Sequence, residues 1–203
     1  MKKLLKQLVI DTATNYIFLS LIIDGKEESF RYEEGINNHS VTIIPYLDEI
    51  LKENNISLKE VDEVIVGVGP GSYTGVRIGV TVAKMIGHMN KIKVYTTSSL
   101  SLLASTSSNP YVLALVDARR GNAFMALYQN IQGKMEYIFT DKLDKIEKVK
   151  SELTMDYETI TSGKPDVIKV LNSNLIEYVD DINNLVPNYL QVTEAERNLK
   201  NVN

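Results

Sequence analysis

Six of the chain's 11 glycines and one of its five prolines fall in a single stretch, "VGVGPGSYTGVRIGVTVAKMIG", residues 66–87. An apolar run enters it, a Gly-Pro-Gly turn follows, and a helical periodicity leaves it, so the unit reads strand–turn–helix. That order can hold an anion at a helix N-terminus. The spacing fits neither common phosphate fingerprint. No lysine stands where a Walker loop needs one, and the next glycine after Gly69-Pro70-Gly71 is Gly75, one residue too late for a dinucleotide loop. Ser72 or Thr74 is placed to cap the helix.

The helix has more than one non-polar side. At 3.6 residues per turn, Arg77, Thr81, Lys84 and His88 form a narrow polar strip. Ile78, Val82, Met85, Ile86 and Met89 form an apolar face, and Gly75, Gly79, Ala83 and Gly87 form a stripe of small residues edged by Val76 and Val80. The combined arc exceeds the roughly 100° that a helix lying on one sheet needs. Each helical glycine costs about 1 kcal/mol against alanine, so the stripe is expected to serve the close approach of another helix. The expected neighbour spans residues 40–54, begins at a Ser40 cap, and carries Ile43, Leu47 and Ile50 on one arc. Together the two helices are expected to form a subunit interface through Gly75, Val76, Gly79, Val80, Ala83, Gly87, Ile43, Leu47 and Ile50. On that reading Gly79→Leu leaves the monomer folded and abolishes pairing.

Elsewhere the chain repeats itself. "QLVIDTATNYIFLSLIIDGK" (residues 7–26) and "VLALVDARRGNAFMALYQNIQGK" (residues 112–134) each run from an apolar strand ending in aspartate, through a short turn, to a second strand and a glycine turn. The first half reads βββαβαβα. "STSSNP", residues 105–110, is the expected lobe boundary, giving an N-terminal lobe over residues 1–106 and a smaller C-terminal lobe over 107–203. The second lobe is expected to continue with a charged surface helix, "DKLDKIEKVKSEL", a strand at "YETITSG", a helix at "KPDVIKVL" and a closing segment, "VPNYLQVTEAERNLK". Alternating strands and helices argue for an α/β fold with mixed sheets. Asp11 and Asp117, each closing the first strand of a meander, are expected to face a cleft between the lobes.

Composition narrows the function. The chain has 203 residues, 44% hydrophobic and 24% charged, with net charge −4. A standalone nucleic-acid binder is expected to be basic, so this class is disfavoured. There is no cysteine, which removes disulfides and thiol nucleophiles and fits a reducing cytosol. Lys6, Gln7 and Asp11 break the early apolar run too soon for a signal peptide. A cytoplasmic protein without a membrane span is expected.

The glycine stretch "GVGPGSYTGVRIGVTVAK" resembles the signature of the bacterial TsaB (YeaZ) family. "IDTAT", "HSVTIIPYLDEIL", "VDARRGNAFMALY" and "PNYLQVTEAER" follow that family's order along nearly the whole chain. The resemblance implies an actin-like ATPase fold (ASKHA, ribonuclease H-like) of two related lobes. It also implies a part in making threonylcarbamoyladenosine beside the anticodon of tRNA. In that family TsaB is a non-catalytic partner. It pairs through its N-lobe helices with the related transferase TsaD, the ATPase TsaE docks on the pair, and TsaB alone self-associates through the same surface. Contact with tRNA is implied only within the complex.

The residues also bear on catalysis. TsaD-like relatives carry two metal-binding histidines after the glycine helix, whereas the segment here, "VYTTSSLSLLAS", has none. With only His39 and His88 in the chain, no metal site is expected. The rival reading is a small ATPase or kinase-like enzyme of the same fold, with Asp11 and Asp117 positioning magnesium. The loops after them, "TATN" and "ARRGN", lack the paired glycines that admit phosphates. At most a weak ATP or ADP cleft of Asp11, Thr12, Asp117 and Arg119 is expected, at or near the partner interface, with no required cofactor. Ser72 has no histidine at a recognisable spacing for a protease.

Overall fold

The computed structural model describes residues 3–35 and 38–190. Two mixed sheets form the frame. Strands β1 (Lys6–Asp11), β2 (Tyr16–Ile23) and β3 (Lys26–Glu34) make an antiparallel meander, and helix α1 (His39–Glu53) follows. Strand β4 (Glu63–Gly67) then pairs parallel with β1, helix α2 spans Tyr73–Asn90, and strand β5 (Lys93–Thr97) pairs parallel with β4. Helix α3 (Ser99–Ala104) leads into the second meander, β6 (Tyr111–Asp117), β7 (Asn122–Ile131) and β8 (Lys134–Lys145). Helix α4 (Ile146–Glu152), strand β9 (Glu158–Ile160), helix α5 (Val167–Asn172) and strand β10 (Glu177–Tyr178) follow, and two 3-10 turns, Leu58–Glu60 and Ile182–Asn184, lie among the described residues.

The expected repeat extends beyond the meanders. Strand β4 lies parallel to β1 as β9 lies parallel to β6. The order β4-β1-β2-β3 in the first sheet therefore recurs as β9-β6-β7-β8 in the second.

Strand alternation sorts the core into layers. From β1, Leu8 and Ile10 point to a cluster beneath α1 and α2, while Val9 points the other way. Val9, Phe18 and Ile65 join Leu100 and Leu103 of α3, Val167 of α5, and Val112 and Ala114 of β6 in a middle cluster between the sheets. Leu113 and Leu115 of β6 face outward to Val149 of α4. The sequence of layers is α1 and α2, first sheet, α3 and α5, second sheet, α4. No helix among the described residues is long and apolar enough to cross a membrane.

Three elements depart from expectation. Helix α1 starts at His39 with Asn38 at the cap position, so Ser40 lies inside the helix. The charged stretch expected as one helix is split. Residues 141–145 continue β8, because β7 offers pairing as far as Asn122↔Lys145, and Leu143 packs into the middle cluster. The C-terminal part of the chain does not stay with the second lobe. Strand β10 adds to β5, the open edge of the first sheet, and Asn188 donates its backbone N–H to the Val68 carbonyl at 2.7 Å. Of the expected closing segment, residues 191–200 lie outside the described residues.

Candidate functional site

A cleft of about 900 Å³ opens between the lobes. One wall comes from the loop after β1 (Ala13, Thr14, Asn15) and the start of α2 (Ser72, Tyr73, Thr74). The opposite wall comes from the end of β6 and its turn, with Asp117 and Arg119, and from Thr161 and Ser162 after β9. Ser72 caps α2, its Oγ accepting the Gly75 N–H at 3.2 Å.

The four residues expected to line this cleft are not brought together. Asp117 and Arg119 are on its wall, whereas Asp11 and Thr12 are buried beneath it, 6% and 1% exposed. Asp11 accepts the Ser99 hydroxyl at 2.8 Å and the Ala13 N–H at 3.3 Å. Burial outweighs these bonds and pushes its carboxyl up to about 6. An aspartate so placed serves as an internal bracket between β1 and α3. Among the described residues no three His, Asp or Glu side chains converge as a metal would require.

Thr12 explains two of the glycines. Its Oγ accepts the Gly79 N–H at 3.0 Å and donates to the Gly75 carbonyl at 2.6 Å. The hydroxyl thus bridges successive turns of α2, which only a helix surface free of side chains permits. A Cβ on Gly79 would stand 2.6 Å from that same oxygen. Gly87 likewise faces Val94 of β5 and Ile182.

This corrects the interface residues. Gly75, Val76, Gly79, Val80, Ala83 and Gly87 are all buried, turned onto the chain's own first sheet. Ile43 and Ile50 are buried in the same core, and Leu47 reaches only the floor of a groove. The small stripe lets α2 approach β1 and β5 closely, and helix periodicity cannot distinguish a sheet from a partner chain. Gly79→Leu would therefore break the monomer.

The flank left uncovered is the other one. An apolar groove of about 620 Å³ runs between α1 and α2, lined by Ile44, Leu58, Val82, Met85, Ile86 and Met89 among others. Ile44, Met85 and Met89 are 53%, 55% and 76% exposed, and Val41 one turn earlier is 71% exposed. Sequence reading grouped Met85 and Met89 with the apolar face but did not single them out. Two long flexible side chains four residues apart were the available signal.

Sequence reading also missed the junction of the lobes. Helix α3 and its N-cap residue Ser98 carry three serines that reach both sheets. Ser98 Oγ donates to Asp141 at 2.9 Å, Ser99 Oγ donates to Asp11, and Ser101 Oγ shares hydrogen bonds of 2.9 Å with both Tyr128 and Tyr137. Burial raises Asp141 to about 6, as it does Asp11.

Twin lobes with matching strand orders on either side of a cleft define an actin-like ATPase (ASKHA, ribonuclease H-like) fold. The model of the family described as "TsaD: tRNA N6-adenosine threonylcarbamoyltransferase" matches residues 23–186. The tRNA threonylcarbamoyladenosine biosynthesis protein TsaB of Bacillus subtilis (strain 168) is 29% identical, over 93% of this chain and 95% of that protein. The protein of the same name from Escherichia coli (strain K12) is 33% identical over 60% of this chain and 54% of its own length. YeaZ from Pseudomonas aeruginosa shares the fold with a TM-score of 0.79, at 22% identity, over 92% of this chain and 100% of that one. The chain belongs to the TsaD-like family that this model describes, and its relatives place it with the TsaB (YeaZ) members.

Proposed function

We propose that the chain takes part in the biosynthesis of threonylcarbamoyladenosine in tRNA, as a non-catalytic partner subunit in the cytoplasm that docks a TsaD-type protein. The groove between α1 and α2 carries this reading. Ile44, Met85 and Met89 expose contiguous apolar surface at a helix pair, and such surface marks an interaction site. In this proposal the TsaD-type protein covers the groove, a second copy of the chain covers it when the partner is absent, and a TsaE-type ATPase joins the assembled pair. The cleft is not the working site. Its carboxylates are divided between a buried bracket and an exposed turn, so an adenine nucleotide there is held weakly and is not turned over.

The test is co-purification with the TsaD-type protein of the same organism. The double variant Met85→Glu/Met89→Glu places charge in the groove without touching the core. It should keep the wild-type circular dichroism and melting temperature yet fail to co-elute, and cells carrying it should lack the modified nucleoside. Undiminished co-elution removes the groove from the interface. Calorimetry with ATP and magnesium tests the rival kinase-like reading, which requires tight binding and hydrolysis.

A further inference from the structure

The sequence has five arginines, and four are among the described residues. Arg31 is held by Glu49 at 3.3 Å and Glu53 at 2.5 Å. The other three, Arg77, Arg119 and Arg120, form no ion pair among the described residues; Arg119 lines the interlobe cleft, Arg120 follows it in the same turn, and Arg77 packs on Tyr73, which also lines the cleft.

On one side the guanidinium of Arg77 lies 4.2 Å from the centre of the Tyr73 ring and 5.6 Å from that of Tyr189. Its Nε donates to the Tyr189 hydroxyl at 2.6 Å, and the two rings are 4.8 Å apart. Both rings remain accessible, at 43% and 37%. This is a pre-ordered platform of two aromatic rings and a guanidinium, and Tyr73 itself lines the cleft.

On the other side Arg119 and Arg120 occupy the β6–β7 turn with φ of 68° and 56°. Side chains rarely adopt this conformation. The turn is fixed all the same. Asp117 accepts the Arg119 N–H at 2.9 Å, the Asn122 side chain donates to the Arg119 and Arg120 carbonyls at 3.1 and 3.4 Å, and Ile146 donates to the Gly121 carbonyl at 3.0 Å. Two exposed arginines are thus presented on a rigid turn. Asn122 is registered against Lys145 of β8, which brings a further exposed cation close by.

We infer that this rim, with Tyr73, Arg77 and Tyr189 on one side and Arg119 and Arg120 on the other, is a contact surface for single-stranded RNA. It rests on the tRNA reading above and adds to it the surface this chain offers the RNA. Splayed bases stack on aromatic rings and guanidinium planes, while arginines on a fixed turn meet the phosphates. Glu34 and Asp117 also line the cleft and repel phosphate, so the strand is held by the arginines and rings and not by the cleft's carboxylates. The polar strip of α2 that includes Arg77 is a different flank from the groove, so a docked partner leaves it open. The net charge of −4 makes the contact weak in isolation and useful once a partner supplies the remaining affinity.

The test is a fluorescence-anisotropy titration of a tRNA transcript with the chain bound to its TsaD-type partner, at several salt concentrations. Arg119→Gly/Arg120→Gly removes both charges at positions whose backbone suits glycine, so it should melt no lower than wild type. Affinity at low salt should fall about tenfold, and the slope of log K against log salt should shrink by about 1.5, as expected for two lost phosphate contacts. Tyr73→Leu should weaken binding several-fold with the slope unchanged. Wild-type affinity and slope in the arginine double variant overturn the inference, as does loss of ATP affinity with RNA binding untouched. If the wild-type chain fails to pair with the partner, the proposed function fails instead. The same titration of the chain alone with a single-stranded RNA then decides the rim by the same slopes.

Discussion

Replacing Asp11 by asparagine tests whether this aspartate is an internal bracket or a cleft ligand. Its carboxyl is raised from 3.8 to about 6, first of all by burial. A raised carboxylate pKa means that the folded state holds the proton more tightly than the unfolded state. The associated stability is fully present below pH 3.8 and is lost as pH rises to about 6. The shift of roughly two units corresponds to about 3 kcal/mol by which ionisation of Asp11 weakens the fold at neutral pH. Asparagine keeps the oxygen that accepts the Ser99 hydroxyl and the Ala13 N–H. It adds an amide donor whose cost, about 1–3 kcal/mol if unpaired, does not change with pH. The pH dependence of the difference between variant and wild type therefore isolates the titration, and Asp141, present in both, cancels. Between pH 4 and 7.5 the stability of Asp11→Asn relative to wild type should rise by about 2–3 kcal/mol. The chain has no tryptophan, so urea unfolding is best followed by circular dichroism. With a slope of about 2 kcal/mol/M the midpoints should separate by about a further 1 M across that range. A difference that stays flat with pH would show Asp11 to be solvated, and the bracket argument would fail.

Gly79→Ala sets helix propensity against the Thr12 bridge. Alanine gains about 1 kcal/mol as a helix former, but its methyl displaces a hydroxyl that serves two buried backbone groups, so a net loss of about 1–3 kcal/mol is expected; a rise in melting temperature would refute this. Ser72→Ala removes the cap of α2 and should cost about 1 kcal/mol, read as a melting temperature lower by about 2–4 °C, with pairing to the partner unaffected.

Where one physical signal dominated, the sequence was easy to read. Apolar runs ending in turn residues marked both meanders, and the glycine turn marked the entry to α2. The parallel pairing of β9 with β6 was harder, because three residues carry no period. The tail of β8 was misread because Asp141, Lys142, Asp144 and Lys145 look like a solvated helix, and only the length of β7 makes them a strand. For α2 the extent of the non-polar arc was legible but its assignment was reversed. Glycines facing Thr12 are explained by contacts more than sixty residues apart in sequence, which no local periodicity contains. Asp11 was misplaced for a similar reason, since its partner Ser99 lies 88 residues away.

The serines of α3 fix more than a helix end. Each lobe anchors itself to the same short rod, the first through Asp11 and the second through Asp141, Tyr128 and Tyr137. Swinging one lobe away from the other would mean surrendering several enclosed hydrogen bonds at once, with little water at hand to replace them. The gap between the lobes is therefore held at a set width, like a jaw with its joint pinned. Any partner or strand that meets its edges finds a template of fixed shape.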